Sequence, residues 1–138
     1  MNIWALEAAF IARWQALVPT LPPILTTFDD IDWTDAGSPK VGAQVVFDGI
    51  EQGSEVRTAT KYPVRYSAHT FLDVKRAAPA DKLLAAMAVE QAIKASTGWE
   101  FSPHKYSAVA GGQRTGFDGR IVRVSVSFIL SAVATGLA

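Results

Sequence analysis

The sequence predicts an α+β fold: a mostly antiparallel sheet of about four to five strands packed by two helices, in the order α-β-β-α-β-β. Three observations predict it. Apolar residues recur at helical spacing in two separate segments of the chain. Before and after the second segment, apolar and polar residues alternate, which is typical of antiparallel strands with one polar face. With 138 residues and no linker, residues 1–138 are predicted to form a single domain.

Composition excludes several classes of function. The chain has no cysteine, which excludes disulfides, zinc–thiolate sites and thiol catalysis. Its 13 basic and 13 acidic residues give a net charge of zero, which disfavours a strongly basic nucleic-acid binder. Hydrophobic residues make up 49% and charged residues only 19%, which excludes intrinsic disorder. Either alanine accounts for this apolar excess, or part of a charge-poor surface is covered by further copies of the chain.

The first helix is predicted over residues 3–17. Its main apolar stripe, at spacings of three and four, consists of Ile3, Leu6, Phe10, Trp14 and Leu17. Trp4 and Ile11 lie on a second stripe, about 80–100° round the helix axis. One helix packing on one sheet does not need both stripes, so the second stripe indicates either deep burial or a partner surface. Pro19 ends the helix, because proline lacks the N–H donor that continues it.

An acidic connection is predicted over residues 24–40. It contains two aromatic residues, Phe28 and Trp33, which either anchor the loop to its own domain or contact a neighbouring subunit. Its acidic side chains are Asp29, Asp30, Asp32 and Asp35. This run lacks the glycine and the final glutamate of a calcium loop, so we predict a solvated loop and no metal ion.

Two strands are predicted before the second helix, over residues 41–49 and 61–75. The polar stretch between them, residues 49–60, is predicted to be a mobile hairpin tip that carries Arg57. The second strand has the longest alternation in the chain. Its polar side chains are Arg65, Ser67, His69, Asp73 and Lys75. His69 and Asp73, with Ser67 on the same face, suggest acyl transfer only weakly, because no G-x-S-x-G motif is present. We therefore predict no catalytic residue and no cofactor.

The second helix is predicted over residues 79–97, between a proline suited to a first turn and a terminating glycine. Leu83 and Met87 project from a side of this helix that also carries charged residues, so that side is partly apolar. They are candidates for contact with a partner.

Two further strands are predicted over residues 99–110 and 120–133. Residues 111–119 between them contain four glycines and are predicted to form a flexible loop. This loop presents Arg114 and Phe117, which suit a partner contact. It lacks the Lys-Ser/Thr pair of a phosphate-binding loop and precedes a strand, so phosphate binding is not predicted.

Charge is divided unevenly along the chain. Residues 1–60 carry eight acidic and three basic side chains, a net charge of −5, and residues 61–138 carry a net charge of +5. The two halves either intermix in space or present an acidic face to a basic face on a neighbouring subunit. No segment has the pattern of a targeting signal or a membrane span, so the chain is expected to fold in a cytoplasm.

The order of these segments and their hydrophobic patterns resemble those of one protein family over nearly the whole chain. The segments are LEAAFIARWQALVPTLP, VVFDG, YPVRYSAHTFLDVK, DKLLAAMAVEQAIKASTG and GRIVRVSVSFIL. Together they are similar to the tail terminator, or tail completion, proteins of long-tailed bacteriophages and prophages, in particular those of Mu-like tails. The resemblance implies a virion protein without enzymatic activity, which forms a sixfold ring, caps the tail tube, ends its elongation and joins the tail to the head.

The resemblance also implies partners: further copies in a homo-hexamer, the tail tube protein and the head–tail connector protein. DNA would pass through the lumen without sequence-specific binding, and no membrane is involved. Interface candidates are Trp4, Ile11, Phe28, Trp33, Arg57, Leu83, Met87, Arg114 and Phe117. Lumen candidates are Arg65, His69 and Lys75. The alternatives are another ring component of the tail or the head–tail junction, or a small α+β ligand-binding domain or enzyme with a site near His69 and Asp73.

Overall fold

A computed structural model describes residues 3–50, 54–56, 59–97, 100–101 and 106–134. The elements follow in the order α1 (Ile3–Leu17), β1 (Val41–Ile50), β2 (Ser54–Val56), β3 (Ala59–Asp73), α2 (Pro79–Ala95), β4 (Glu100–Phe101), β5 (Tyr106–Phe117) and β6 (Ile121–Ala134). This confirms the predicted α+β class. The short strand β2 lies in the segment predicted to be a hairpin tip. Residues 99–110 do not form the single strand predicted for them, because β4 and β5 are separate strands that pair with each other.

The strands form one antiparallel sheet in the order β1-β3-β6-β5-β4, with β2 paired to β3. β3 and β6 pair from Thr60↔Ala134 to Asp73↔Ile121 and form the centre of the sheet. At the β1 edge, the backbone of Leu25 donates to Ala43 and accepts from Val45, both at 3.0 Å. This isolated bridge satisfies part of an edge that would otherwise present unpaired backbone groups.

The core lies between the two helices and one face of the sheet. Phe10 of α1 stacks on Phe128 of β6 with ring centroids 4.2 Å apart, and Tyr66 of β3 stacks on the same ring at 5.5 Å. The two helices are joined by Trp14, which is fully buried and donates its indole N–H to the carbonyl oxygen of Ala88 at 3.0 Å. Small residues on α2 permit this close contact, namely Ala85, Ala88, Ala92 and Ala95.

Both helices and the long strands β1, β3 and β6 agree with the sequence prediction, but the flexible loop predicted over residues 111–119 is wrong. β5 continues to Phe117, and its glycines pair with β6 at Gly112↔Ser127 and Gly116↔Arg123. The glycines signalled a turn locally, whereas β6 supplies hydrogen-bond partners that no local pattern contains. Only a tight turn remains, at Asp118 to Arg120, where Gly119 has a φ of +96°.

A buried carboxylate lies where β3 ends. Asp73 is 1% exposed and accepts hydrogen bonds from Arg120 Nε at 3.1 Å, Arg120 Nη2 at 2.9 Å and Arg76 Nε at 2.6 Å. The backbone N–H of Lys75 also donates to it, at 3.1 Å. The hydrogen bonds from Arg120, assisted by those from Arg76, hold the pKa of this carboxyl well below its usual range. We call Asp73, Arg76 and Arg120 the Asp73 cluster.

The Asp73 cluster also holds the loop that precedes β1. Arg76 donates to the carbonyl oxygens of Trp33 (3.2 Å), Ala36 (3.2 Å) and Ser38 (2.9 Å). Arg120 donates to the carbonyl oxygen of Thr34 at 3.0 Å. The loop has no regular structure of its own, so these charge-assisted bonds satisfy its carbonyls and fix its position.

No helix among the described residues is long and apolar enough to cross a membrane.

We predict that Trp14→Phe lowers the free energy of unfolding by about 2 kcal/mol, because it removes a buried hydrogen bond and leaves a small cavity between the helices. Urea denaturation followed by circular dichroism measures the change. Trp4→Phe is the matched control, because Trp4 is 43% exposed, and we expect a change of at most about 0.5 kcal/mol. Equal losses in the two variants would contradict the position assigned to Trp14.

We predict that Asp73→Asn lowers the Tm at pH 7 by roughly 5–10 °C, because it removes the negative charge and replaces one of the two accepting oxygens with an NH2 group that cannot accept from arginine. The folded-state pKa of Asp73 lies below its unfolded value of about 3.9, so its stabilisation is present above that pH and is lost as pH falls further.

The Tm difference between wild type and Asp73→Asn should therefore shrink as calorimetry is repeated from pH 5 towards about pH 2. Asp30→Asn is the control, because Asp30 is an exposed carboxylate on the same connection. A difference that stays constant over this pH range would contradict the role given to the Asp73 carboxylate.

Candidate functional site

The structure brings together three predicted interface residues, Trp4, Ile11 and Phe28. They line a groove of about 390 Å³ between α1 and the segment that leads to β1. The Trp4 and Phe28 rings lie 4.7 Å apart, and Phe28 is 75% exposed. The other lining residues are Glu7, Ala8, Ala12, Gln15, Ile24 and Thr26. We call this surface the α1 groove.

Buried polar bonds fix the wall of the α1 groove. The Glu7 carboxylate accepts hydrogen bonds from the backbone N–H of Thr27 at 2.9 Å and from its hydroxyl at 2.8 Å. The same hydroxyl oxygen accepts from the backbone N–H of Phe47 at 2.9 Å. Gln15 bridges the same segment, donating to Leu21 and accepting from Ile24. These bonds fix the shape of the groove, and the side chains of Trp4 and Phe28 remain exposed on it.

A second uncovered apolar surface lies on α2. Leu83 is 64% exposed and Met87 is 44% exposed, as the sequence predicts. The exposed charged residues beside them are Lys82, Glu90 and Lys94. We call this surface the α2 flank. Of the six large hydrophobic residues that are exposed in the described part of the chain, four lie on the α1 groove or the α2 flank.

A third surface surrounds Trp33, whose ring stacks on Phe71 with centroids 4.4 Å apart. The ring also lies directly over Gly42, where a Cβ would overlap it, so this close approach requires glycine. Trp33 is therefore a loop anchor on the outer face of the sheet. Together with Phe117, which is 63% exposed, and Arg123, it lines a cleft of about 450 Å³.

The outer face of the sheet is polar, and two of the three lumen candidates lie on it. Arg65 is exposed, and His69 is half-buried with its Nδ1 2.6 Å from the hydroxyl oxygen of Ser125. Burial lowers the pKa of His69, the positive charge of Arg123 lowers it further, and Asp48 opposes both. His69 is thus neutral at neutral pH. Lys75 is exposed but lies beyond the end of β3, in the turn before α2.

The ligand-binding alternative placed a site near His69 and Asp73. Both carboxylate oxygens of Asp73 already accept hydrogen bonds from the arginines of the Asp73 cluster. Neither His69 nor Asp73 lines the α1 groove or the cleft at Trp33. No group of three potential metal ligands occurs in the described ranges of the chain.

One predicted interface residue, Arg57, lies outside the described residues. The backbone of Arg114 belongs to β5 and pairs with Ser125, so this residue lies in a strand rather than in the predicted loop.

Sequence reasoning missed the contributions of Arg76, Arg120 and Gly42. Asp73 and Arg76 lie three residues apart, which is a local signal for an ion pair. The pairing of Asp73 with Arg120 spans 47 residues and has no local signal. Gly42 alternates with the buried residues of β1, and nothing in that pattern indicates that an aromatic ring lies over it.

The comparisons with known proteins identify a shared fold. No family model matches the chain, and no curated protein matches it at a significant level. Among solved structures, the chain is similar to one in a structure described as the virion of a native gene transfer agent (GTA) particle, with a TM-score of 0.59. The identity is 12%, and the alignment covers 94% of this chain and 91% of that chain. At this identity the likeness shows a common fold across almost the full length of both chains.

Proposed function

We propose that this chain is a structural protein of a phage or phage-like virion. The observation that carries the proposal is the likeness to a chain of a gene transfer agent virion, because it spans 94% of one chain and 91% of the other. Fold alone does not imply function. Here the independent resemblance of the sequence segments to phage tail terminators favours the same class, and so does the exposure of large apolar residues on two separate surfaces.

Within that class we propose a tail terminator: a homo-hexameric ring that caps the tail tube, ends its elongation and joins the tail to the head connector. A ring needs two different surfaces on each subunit, whereas a two-fold dimer uses one surface twice. The α1 groove and the α2 flank are two such surfaces. The remaining faces of the subunit are then free to contact the tail tube protein on one side and the connector protein on the other.

We propose that the polar outer face of the sheet, with Arg65 and His69, borders the lumen. DNA that passes through a lumen must not be held tightly, and each phosphate contact adds salt-dependent affinity. His69 suits this role, because its lowered pKa leaves it uncharged at neutral pH. Lys75 lies two residues beyond the end of the same strand and would contribute at the rim rather than on the face.

Another ring component of the tail or the head–tail junction has the same requirements for association and remains the second candidate. The description of the GTA structure names a virion and no position within it. The candidates differ in what happens to tails when the chain is absent, so a genetic test separates them.

We predict that particles assembled without this chain carry tails of uncontrolled, extended length that do not join heads, because a cap that ends elongation is missing. Electron microscopy of lysates from a strain with the gene deleted measures tail length and head attachment. A copy of the gene supplied in trans is the control and should restore a uniform length. Tails of normal length without heads would instead indicate a connector component, and complete absence of tails would indicate a tube component.

We predict that Arg114→Glu or Arg57→Glu blocks the joining of tails to heads but leaves the chain folded, because both arginines are proposed to contact the junction. Complementation of the deletion strain with each variant, followed by counts of joined particles, measures the effect. Lys40→Glu is a matched charge reversal at an exposed residue outside the proposed contacts. Normal joining in both arginine variants would remove Arg57 and Arg114 from the interface.

A further inference from the structure

We infer that the α1 groove of one copy receives the α2 flank of the next copy, in a head-to-tail contact that repeats around the assembly. The inference rests on the proposed ring and specifies which surfaces form it. Its occupant is a second copy of this chain.

The α1 groove opens away from α2. Arg13 marks the side of α1 that faces α2, because its Nε donates to the carbonyl oxygen of Ala95 at 3.1 Å. Trp14 also contacts α2, through its hydrogen bond to Ala88. At 100° per residue, the groove residues Ala8 and Gln15 lie about 140–160° round the axis from Arg13 and about 100–120° from Trp14. None of the residues that line the groove belongs to α2.

The α2 flank points away from α1. Ala88 and Ala95 mark the side of α2 that faces α1, since their carbonyl oxygens accept hydrogen bonds from that helix. Leu83 and Met87 lie about 80–140° round the axis from these two alanines. Each helix therefore has an uncovered apolar side that its partner helix leaves free, and the two sides lie on different flanks of the helix layer.

The two surfaces are complementary in chemistry. The groove is lined by aromatic and small apolar residues, and its volume of about 390 Å³ suits large flexible side chains such as leucine and methionine. Phe28 at its rim is followed by two exposed carboxylates, Asp29 and Asp30. The α2 flank is bordered by Lys82 and Lys94, with one intervening acidic residue. An acidic rim thus meets a basic border.

Charge also argues against a two-fold contact of groove with groove. Such a contact would bring Asp29 and Asp30 of one copy close to the same residues of the other, and like charges at an interface are unfavourable. A two-fold contact of flank with flank would bring together two surfaces on which Lys82 and Lys94 outnumber Glu90. The head-to-tail contact places this excess of positive charge against the acidic rim of the groove.

Crosslinking tests the contact directly, because the chain has no cysteine of its own. Ala8→Cys places a thiol in the α1 groove, and Leu83→Cys places one on the α2 flank; both positions are exposed. Each variant is purified alone, and the two are also mixed, treated with a short bis-maleimide and resolved on denaturing gels. Thr20→Cys, in the exposed turn after α1, replaces either partner as the control.

We expect the mixed sample to give at least about tenfold more covalent dimer than either variant alone or any mixture with Thr20→Cys, because an interface raises the effective concentration of its facing thiols. A chain with both substitutions should give a ladder of multimers. Dimer formed by Ala8→Cys alone, or no dimer above the control, overturns the inference.

Native mass spectrometry of the uncrosslinked samples distinguishes failure of the proposed contact from failure of the proposed ring. A mass about six times that of the 14.8 kDa chain, without the mixed crosslink, overturns the contact but leaves the ring in place. Normal tail length in the deletion strain overturns the proposed function, whatever the crosslinking shows.

Discussion

The structure depends on a buried carboxylate that receives two arginines. Asp73 lies at the end of the central strand β3, and its neighbours Arg76 and Arg120 come from the turn before α2 and from the turn before β6. Two guanidinium groups around one carboxylate leave donors to spare, and these donors bind the carbonyl oxygens of the loop before β1. One interaction therefore fixes where three segments meet. It also decides where Trp33 lies, because the backbone of that residue is held by Arg76 while its ring packs over Gly42.

A second constraint is that both helices lie on the same face of the sheet. The aromatic core formed by Phe10, Tyr66 and Phe128 lies on that face, and the opposite face carries polar side chains beside the stacked rings of Trp33 and Phe71. Two helices on one face protect each other along one side only. Their outer sides remain exposed to solvent, and in this chain they carry Trp4 on α1 and Leu83 and Met87 on α2, the latter two beside charged residues. Exposed apolar surface of this kind marks association sites in soluble proteins.

Sequence periodicity predicted the helices and long strands because burial on one side leaves a repeat of 3.6 or 2 in the chain itself. The second stripe of α1, at Trp4 and Ile11, was found in the same way, and the structure brings both residues to one groove. Prediction failed where the determining partner is distant in sequence. The glycines in residues 111–117 predict a loop, but in the structure these residues belong to a strand that pairs with β6. Likewise, the sequence places Asp73 near His69 on a polar strand face. In the structure, the Asp73 carboxylate is buried and accepts hydrogen bonds from Arg120, 47 residues away.

In the proposed ring, the number of copies follows from the angle between the α1 groove and the α2 flank of one subunit. Head-to-tail contacts close into a ring only at certain rotations and otherwise extend into a filament. One wall of the groove is a side of α1 and the flank is a side of α2, so their relative angle depends on how α1 and α2 cross. That crossing is held by the hydrogen bonds from Trp14 to Ala88 and from Arg13 to Ala95. Packed interiors deform little. The buried indole that stabilises the subunit therefore also sets the geometry with which subunits would meet, and stability and assembly share one set of contacts.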